Sequence, residues 1–266
     1  MKSVFHAITL FFFLCLNSAF GQSYRMLQTE MYGIQGFGSF VKTSYNADLV
    51  QFAGTVSCDE FTSGNGNGLG FGIIGEIPVS NSVSVSGGVG VYDRGGVLKT
   101  QSSFPIRYDQ SSNGFTQSIM ENSIITEMSF LEIQLDARYI LFEQYAFAFR
   151  VLGGMRFGFP VSGTYLQTST ILQPDGAGFI VGDKILQSRE LSQGSISTFS
   201  GLQTGAIIGI EPMLRVSPSM HITASFNYDI PLSSALNDAS LQVGGLRGQI
   251  GIRYSMRTFA PSPNTP

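Results

Sequence analysis

The chain has 266 residues, a formal net charge of −3, and only 12% charged residues beside 32 glycines and 22 phenylalanines. A slightly acidic balance gives no electrostatic reason to expect nucleic acid as a partner. His6 and His221 are the only histidines, and Cys15 and Cys58 the only cysteines, too few for a His-rich metal site or a disulfide framework.

The first segment reads as a secretory signal peptide over residues 1–21. Lys2 precedes an apolar run from Val4 to Leu16, and the small, polar stretch Asn17-Ser18-Ala19-Phe20-Gly21 ends in a cleavage signal, which places the mature start near Gln22. The run is short for a membrane span, and Leu14 ahead of Cys15 argues for simple cleavage over a lipid anchor. Beyond it no segment approaches the ~18 consecutive apolar residues of a membrane helix.

The apolar residues instead follow a period of two, the mark of a strand with two unlike faces. A first strand is predicted near Met31 to Val41. Leu69, Phe71, Ile73 and Ile77 are followed by Val83, Val85, Val89 and Val91 across the turn Pro78-Val79-Ser80-Asn81. Leu131 to Tyr139 is apolar at every odd position and polar at every even one. The next run carries Tyr145, Phe147, Phe149, Val151, Met155 and Phe157 on one face, with Glu143 and Gln144 as the expected tight turn between the two. Leu202 to Leu214 and Ile222 to Ile230 pair across Ser217-Pro218-Ser219. A last strand runs from near Leu246 to Phe259.

Short turns at 78–82, 142–144 and 216–220 alternate with long polar connections at 42–66, 94–123, 161–199 and 232–241. This rhythm predicts an all-β fold: a closed, antiparallel, up-and-down transmembrane β-barrel of about eight strands, ten being possible. Its short turns would be periplasmic and its long loops extracellular. Asn65-Gly66, Asn113-Gly114 and Asp175-Gly176 are turn signals inside the long connections, parts of which are expected to extend the hairpins beyond the membrane. The barrel is expected over 22–259, and the Pro-rich stretch 260–266 as a disordered tail.

The charges decide which face meets lipid. Glu76, Glu132, Asp136, Arg138, Arg150, Arg156, Glu211, Arg215, Asp229, Arg247 and Arg253 all fall in the polar phase of the expected crossings. A Lys or Arg facing mid-bilayer costs about 2–4 kcal/mol, whereas one facing the lumen can pair with a carboxylate. These eleven residues are therefore expected to form a polar network filling a narrow lumen.

The segment Gln249-Ile250-Gly251-Ile252-Arg253-Tyr254-Ser255-Met256-Arg257-Thr258-Phe259 resembles the final-strand signal by which outer-membrane barrels are recognised for insertion, here followed by a short tail. Ser44 to Asp48, Cys58-Asp59-Glu60-Phe61, the Gly-rich run and Gly75 to Ser80 resemble the front of the outer-membrane β-barrel domain family, whose members are similar to the OmpA transmembrane domain. The resemblance implies a place in the cell outer membrane, with outer-membrane lipids and the barrel-insertion machinery as partners, rather than one activity. Relatives with this pattern often carry two adjacent cysteines in the first loop, where this chain has Cys58 alone. The peptidoglycan-binding domain that usually follows such a barrel is not expected here.

Motifs for catalysis or cofactors are weak. Gly70-Phe71-Gly72-Ile73-Ile74-Gly75 has the spacing of a phosphate-binding loop but lies in an alternating strand with no helix to follow, so the glycines are expected to be small lumen-facing residues. His221 sits beside the Pro218 turn, at the end opposite the rim where barrel enzymes keep their sites. It reads as a polar rim residue. Cys58 is expected to be an ordinary loop thiol. Phe61, Phe104, Tyr108, Phe115, Tyr165 and Phe179 make the long loops aromatic, for recognition at the surface or for packing against one another.

The expected function is that of a non-enzymatic outer-membrane protein with a side-chain-filled lumen, without cofactor. It presents loops for envelope integrity or contact with an extracellular or envelope protein. The alternatives are a narrow porin-like channel, should Arg150, Arg156, Arg247 and Arg253 lack acidic partners, and, more remotely, a lipid- or peptide-modifying barrel enzyme.

Overall fold

A computed structural model describes residues 31–52, 55–80, 82–109, 114–144, 146–174 and 177–257. The expected signal peptide, Phe259 and the tail lie outside the described residues, as do the side chains of Cys58, Phe104, Tyr108 and Phe115. Twelve strands follow in chain order: β1 (Met31–Phe52), β2 (Thr55–Pro78), β3 (Val83–Asp93), β4 (Gly96–Asp109), β5 (Gly114–Gln144), β6 (Phe147–Gln173), β7 (Phe179–Val181), β8 (Lys184–Leu186), β9 (Ser188–Ser195), β10 (Gln203–Arg215), β11 (Met220–Pro231) and β12 (Ser240–Arg257).

Eight of them form the ring β1-β2-β3-β5-β6-β10-β11-β12, every pairing antiparallel. The last strand closes on the first, with β1 and β12 in unbroken register from Met31 opposite Arg257 to Asp48 opposite Ser240. Closure leaves no stave with an unpaired edge, a necessity in hydrocarbon, where a free N–H or C=O costs several kcal/mol. The remaining strands belong to the extracellular end. β4 carries the line of β3 onward after Arg94-Gly95, β9 adds to the upper part of β6, and β7 and β8 form a small separate hairpin.

The periplasmic turns are short, as the sequence indicates, with one shift. Glu143 and Gln144, expected as the turn, still pair with Ala148 and Phe147 at the end of β5, so the reversal falls after Gln144. A register irregularity between Ile140 and Phe142 absorbs the difference.

Each stave alternates between an exposed and a buried side chain, but the chemistry of the two faces changes along its length. In the membrane-crossing part, the outward residues are apolar: Ile34 and Phe40 on β1, Phe71 and Ile73 on β2, Phe226 on β11, and Ile250 and Ile252 on β12 are all at least half exposed. Tyr32, Tyr139 and Tyr254 mark the periplasmic end of this belt, where a ring with one polar tip suits the interface. The inward residues there are mostly polar, among them Gln35, Glu132, Gln134, Asp136, Arg247 and Gln249, with a small apolar group of Phe37, Val41, Ile74 and Tyr92 between them.

Above the belt the relation inverts. The inward phase of β1 continues Tyr45, Ala47, Leu49, and that of β5, followed upward from Glu132, runs Phe130, Met128, Thr126, Ile124, all buried. With Phe61, Leu98, Tyr165, Leu241 and Val243 they form one apolar core inside the extracellular extension, roofing the polar lumen. The outward residues at this level, such as Lys42, Ser44, Asn46 and Asp48, are exposed and polar. One strand phase therefore serves two media: apolar outside and polar inside where the wall meets lipid, the reverse where it meets water.

Candidate functional site

The densest chemistry lies in the lumen, on strand positions that share the inward phase. In its periplasmic half Glu76 accepts from Arg150 Nη1 at 2.6 Å and from Arg253 Nη1 at 2.8 Å, with Arg138 Nη1 3.4 Å away. Glu211 takes Arg138 Nη1 at 3.0 Å and a short contact from Arg150 Nη2. Asp136 accepts from Arg138 Nε at 2.7 Å, Ser86 Oγ at 2.6 Å and Gln134 Nε2 at 2.7 Å. Three guanidiniums thus face three carboxylates.

The second cluster lies above it, beneath the apolar roof. Asp229 holds Arg247 Nη2 at 2.8 Å and Arg94 Nη2 at 2.6 Å, and Glu132 holds Arg94 Nε at 2.5 Å. Arg247 Nη2 also lies 3.3 Å from Glu132, while Arg156 comes within 3.5 Å of Glu132 and 4.0 Å of Asp229 and donates through Nη2 to the Val243 carbonyl at 2.6 Å. Tyr92 stacks beneath two of these cations, its ring centre 4.4 Å from the Arg247 guanidinium carbon and 5.9 Å from that of Arg94. Bare charges in a dry interior cost several kcal/mol each, and only close pairing of this kind offsets that cost.

Ten of the eleven residues assigned from sequence to the lumen meet in these two clusters. Arg215 does not. It is the last residue of β10, where the barrel mouth opens, and it lies 3.9 Å from Glu143 in a small periplasmic pocket lined also by Ala146, Phe147, Ala148, Met213 and His221. Arg94 and Tyr92 are the functional residues the sequence reading passed over. Both continue the polar phase of β3, Ser84-Ser86-Gly88-Gly90, but Asp93-Arg94-Gly95-Gly96 reads as the opening of a loop.

His221 is buried at the periplasmic mouth. Arg215 Nε lies 3.4 Å from its Nε2 and Ser255 Oγ 3.3 Å from its Nδ1. A guanidinium can only donate, so Nε2 is the acceptor and the proton sits on Nδ1, toward Ser255. A serine base needs the opposite arrangement, a carboxylate holding the far nitrogen. Of the glycine run, Gly70 and Gly72 face inward: a Cβ on Gly70 would strike the Tyr92 ring, and one on Gly72 would come 2.8 Å from Phe37. Gly75 faces outward, contrary to the expectation for all three, because it falls in the other strand phase. Phe61 and Tyr165, two of the loop aromatics, are buried in the apolar roof. Among the described residues no group of three or more His, Cys, Asp or Glu is placed to hold a metal ion.

No family model and no curated protein matches the chain. Solved structures with a similar build include the N-terminal β-barrel domain of Pseudomonas aeruginosa OprF, 15% identical, with a TM-score of 0.39, covering 86% of this chain and 100% of that one. The outer membrane protein OprG from Pseudomonas aeruginosa is 12% identical with a TM-score of 0.41, over 89% of this chain and 100% of its own. The outer membrane protease OmpT from Escherichia coli is also 12% identical, with a TM-score of 0.40, over 88% of this chain and 100% of its own. By its closed ring of eight staves and its apolar belt, the chain is a transmembrane β-barrel of the outer-membrane type.

Proposed function

We propose that the protein is a non-enzymatic, non-conducting barrel of the cell outer membrane that anchors a stiff extracellular extension for envelope integrity or for contact with a partner outside the cell. One observation carries this reading: every guanidinium of the lumen lies within 4.0 Å of a carboxylate, and the lumen is then roofed by an apolar core. A conduction path needs mobile water beside weakly held charges. Arg150, Arg156, Arg247 and Arg253, whose lack of partners would have favoured a channel, each have at least one carboxylate. The His221 arrangement, with a cation rather than an acid on its far nitrogen, speaks against a serine hydrolase at that site.

The purified barrel reconstituted in a planar bilayer tests this. No discrete current steps in 1 M KCl are expected, and reproducible single-channel steps would replace the anchor with the narrow channel. Fractionation of expressing cells tests location: recovery with the outer membrane, and a gel mobility that changes on boiling in detergent, are the expected results.

A further inference from the structure

The upper lumenal cluster is unbalanced, and its geometry says where the surplus sits. Arg94, Arg156 and Arg247 share two carboxylates, Glu132 and Asp229, and all five are 1% exposed or less. The periplasmic cluster supplies nothing to offset the difference, because its own Arg138, Arg150 and Arg253 match Glu76, Asp136 and Glu211 one for one. The guanidiniums also have unspent donors. Arg94 Nη1, Arg156 Nε and Arg247 Nε are buried without a hydrogen-bond acceptor. Arg150 Nε and Arg253 Nε of the periplasmic cluster are too, and Glu132 Oε2 lacks a hydrogen-bond donor, so it is the surplus of charge together with these donors that distinguishes the upper cluster. Neutral groups soften the surplus without cancelling it: Tyr92 lies beside Arg94 and Arg247, and Arg156 reaches the Val243 carbonyl at 2.6 Å and Gln203 Oε1 at 3.3 Å.

We infer that this cluster is a binding site for one small monovalent inorganic anion, of the size and charge of chloride, taken up as the barrel closes. A third guanidinium beside two carboxylates leaves a net positive charge in a medium that penalises it, and a halide accepting from the spare N–H groups removes that charge and satisfies those donors at once. A larger or multivalent anion does not suit the place, since the apolar roof of Met128, Phe130 and Val243 stands over it and a second negative charge would exceed the surplus. The anion is structural, and the site is independent of any partner bound by the extracellular end.

The test refolds the full barrel from urea into detergent with sodium bromide or with sodium gluconate at equal ionic strength, followed by exhaustive desalting. Retained bromide is then measured by elemental analysis and located by anomalous scattering in crystals. The wild-type protein is expected to retain an equimolar amount of bromide between Arg94, Arg156 and Arg247, and to unfold at a higher temperature after refolding in bromide than in gluconate. Arg156→Gln, which equalises the charges, should retain none and unfold at the same temperature from both salts; Arg156→Met serves if the glutamine variant does not fold. Wild-type protein free of bromide, with a melting temperature indifferent to the anion, would overturn the assignment, as would bromide found only on the outer surface.

Discussion

At the scale of single residues the lumen is held by mutual obligation rather than by strong individual bonds. Glu211 illustrates this: neutralising it takes one carboxylate partner from Arg138 and one from Arg150, both buried, and leaves Glu76 and Asp136 to serve three guanidiniums. An uncompensated buried charge of this kind costs about 3–5 kcal/mol. Glu211→Gln is therefore expected to lower the urea midpoint of the detergent-folded barrel markedly. Replacing the partners together, Glu211→Met with Arg150→Met, should recover much of the loss, because two apolar side chains of similar volume need no pairing. A double variant as unstable as the sum of the singles would mean that the ions do not act as a unit. Sterics set a second constraint. A Cβ on Gly33 would collide with the Arg253 guanidinium that reaches Glu76. Gly33→Ala is expected to cost about 1–3 kcal/mol by displacing that side chain, read as a lowered unfolding temperature, while Gly38→Ala, whose Cβ meets nothing within 4 Å, should leave it unchanged.

At the scale of the strand, alternation was legible because the two solvents of a membrane wall differ so sharply. Leu131 to Tyr139 alone separates them: Leu131, Ile133 and Leu135 are exposed to lipid while Glu132, Gln134 and Asp136 are buried. The inversion above the membrane was not legible in the same way. Tyr45, Ala47 and Leu49 continue the inward phase of Val41, but among polar neighbours such as Lys42, Asn46 and Asp48 they look like scattered loop residues until the strand is known to continue to Phe52. Arg94 was lost for the converse reason, since a charged residue beside two glycines resembles a turn when it is in fact one more inward position before β4 begins. The faces predict opposite responses to the same kind of change. Ile250→Arg, on the lipid face, is expected to cost about 2–4 kcal/mol if it lies near mid-bilayer, and Leu49→Ala, fully buried in the extracellular core, about 2–5 kcal/mol from lost packing. Both are measured by reversible denaturation in lipid vesicles. A null effect at Leu49 would mean that the extracellular extension contributes nothing to folding.

At the scale of the whole molecule the barrel has two storeys with opposite interiors, and the barrier to solutes is the join between them. Ion pairs and polar side chains, with the small apolar group around Phe37 and Ile74, fill the part that crosses lipid, and the large apolar core begins where Arg156 donates to the carbonyl of Val243, itself part of that core. The Tyr45 hydroxyl ties the same level from the other side by donating to the Arg94 carbonyl at 2.5 Å. The chain has no tryptophan, so a single introduced indole reports its own surroundings without background. The most direct test of the two-storey account places one tryptophan at a time at Ile250, on the lipid face, and at Phe130, in the extracellular core, with the barrel folded in vesicles of lipids brominated on their acyl chains. The account predicts strong quenching at Ile250→Trp, and at Phe130→Trp a blue-shifted emission that neither the brominated lipid nor aqueous acrylamide quenches. Quenching of Phe130→Trp by acrylamide to the level of free tryptophan would show an open, watered interior and contradict it.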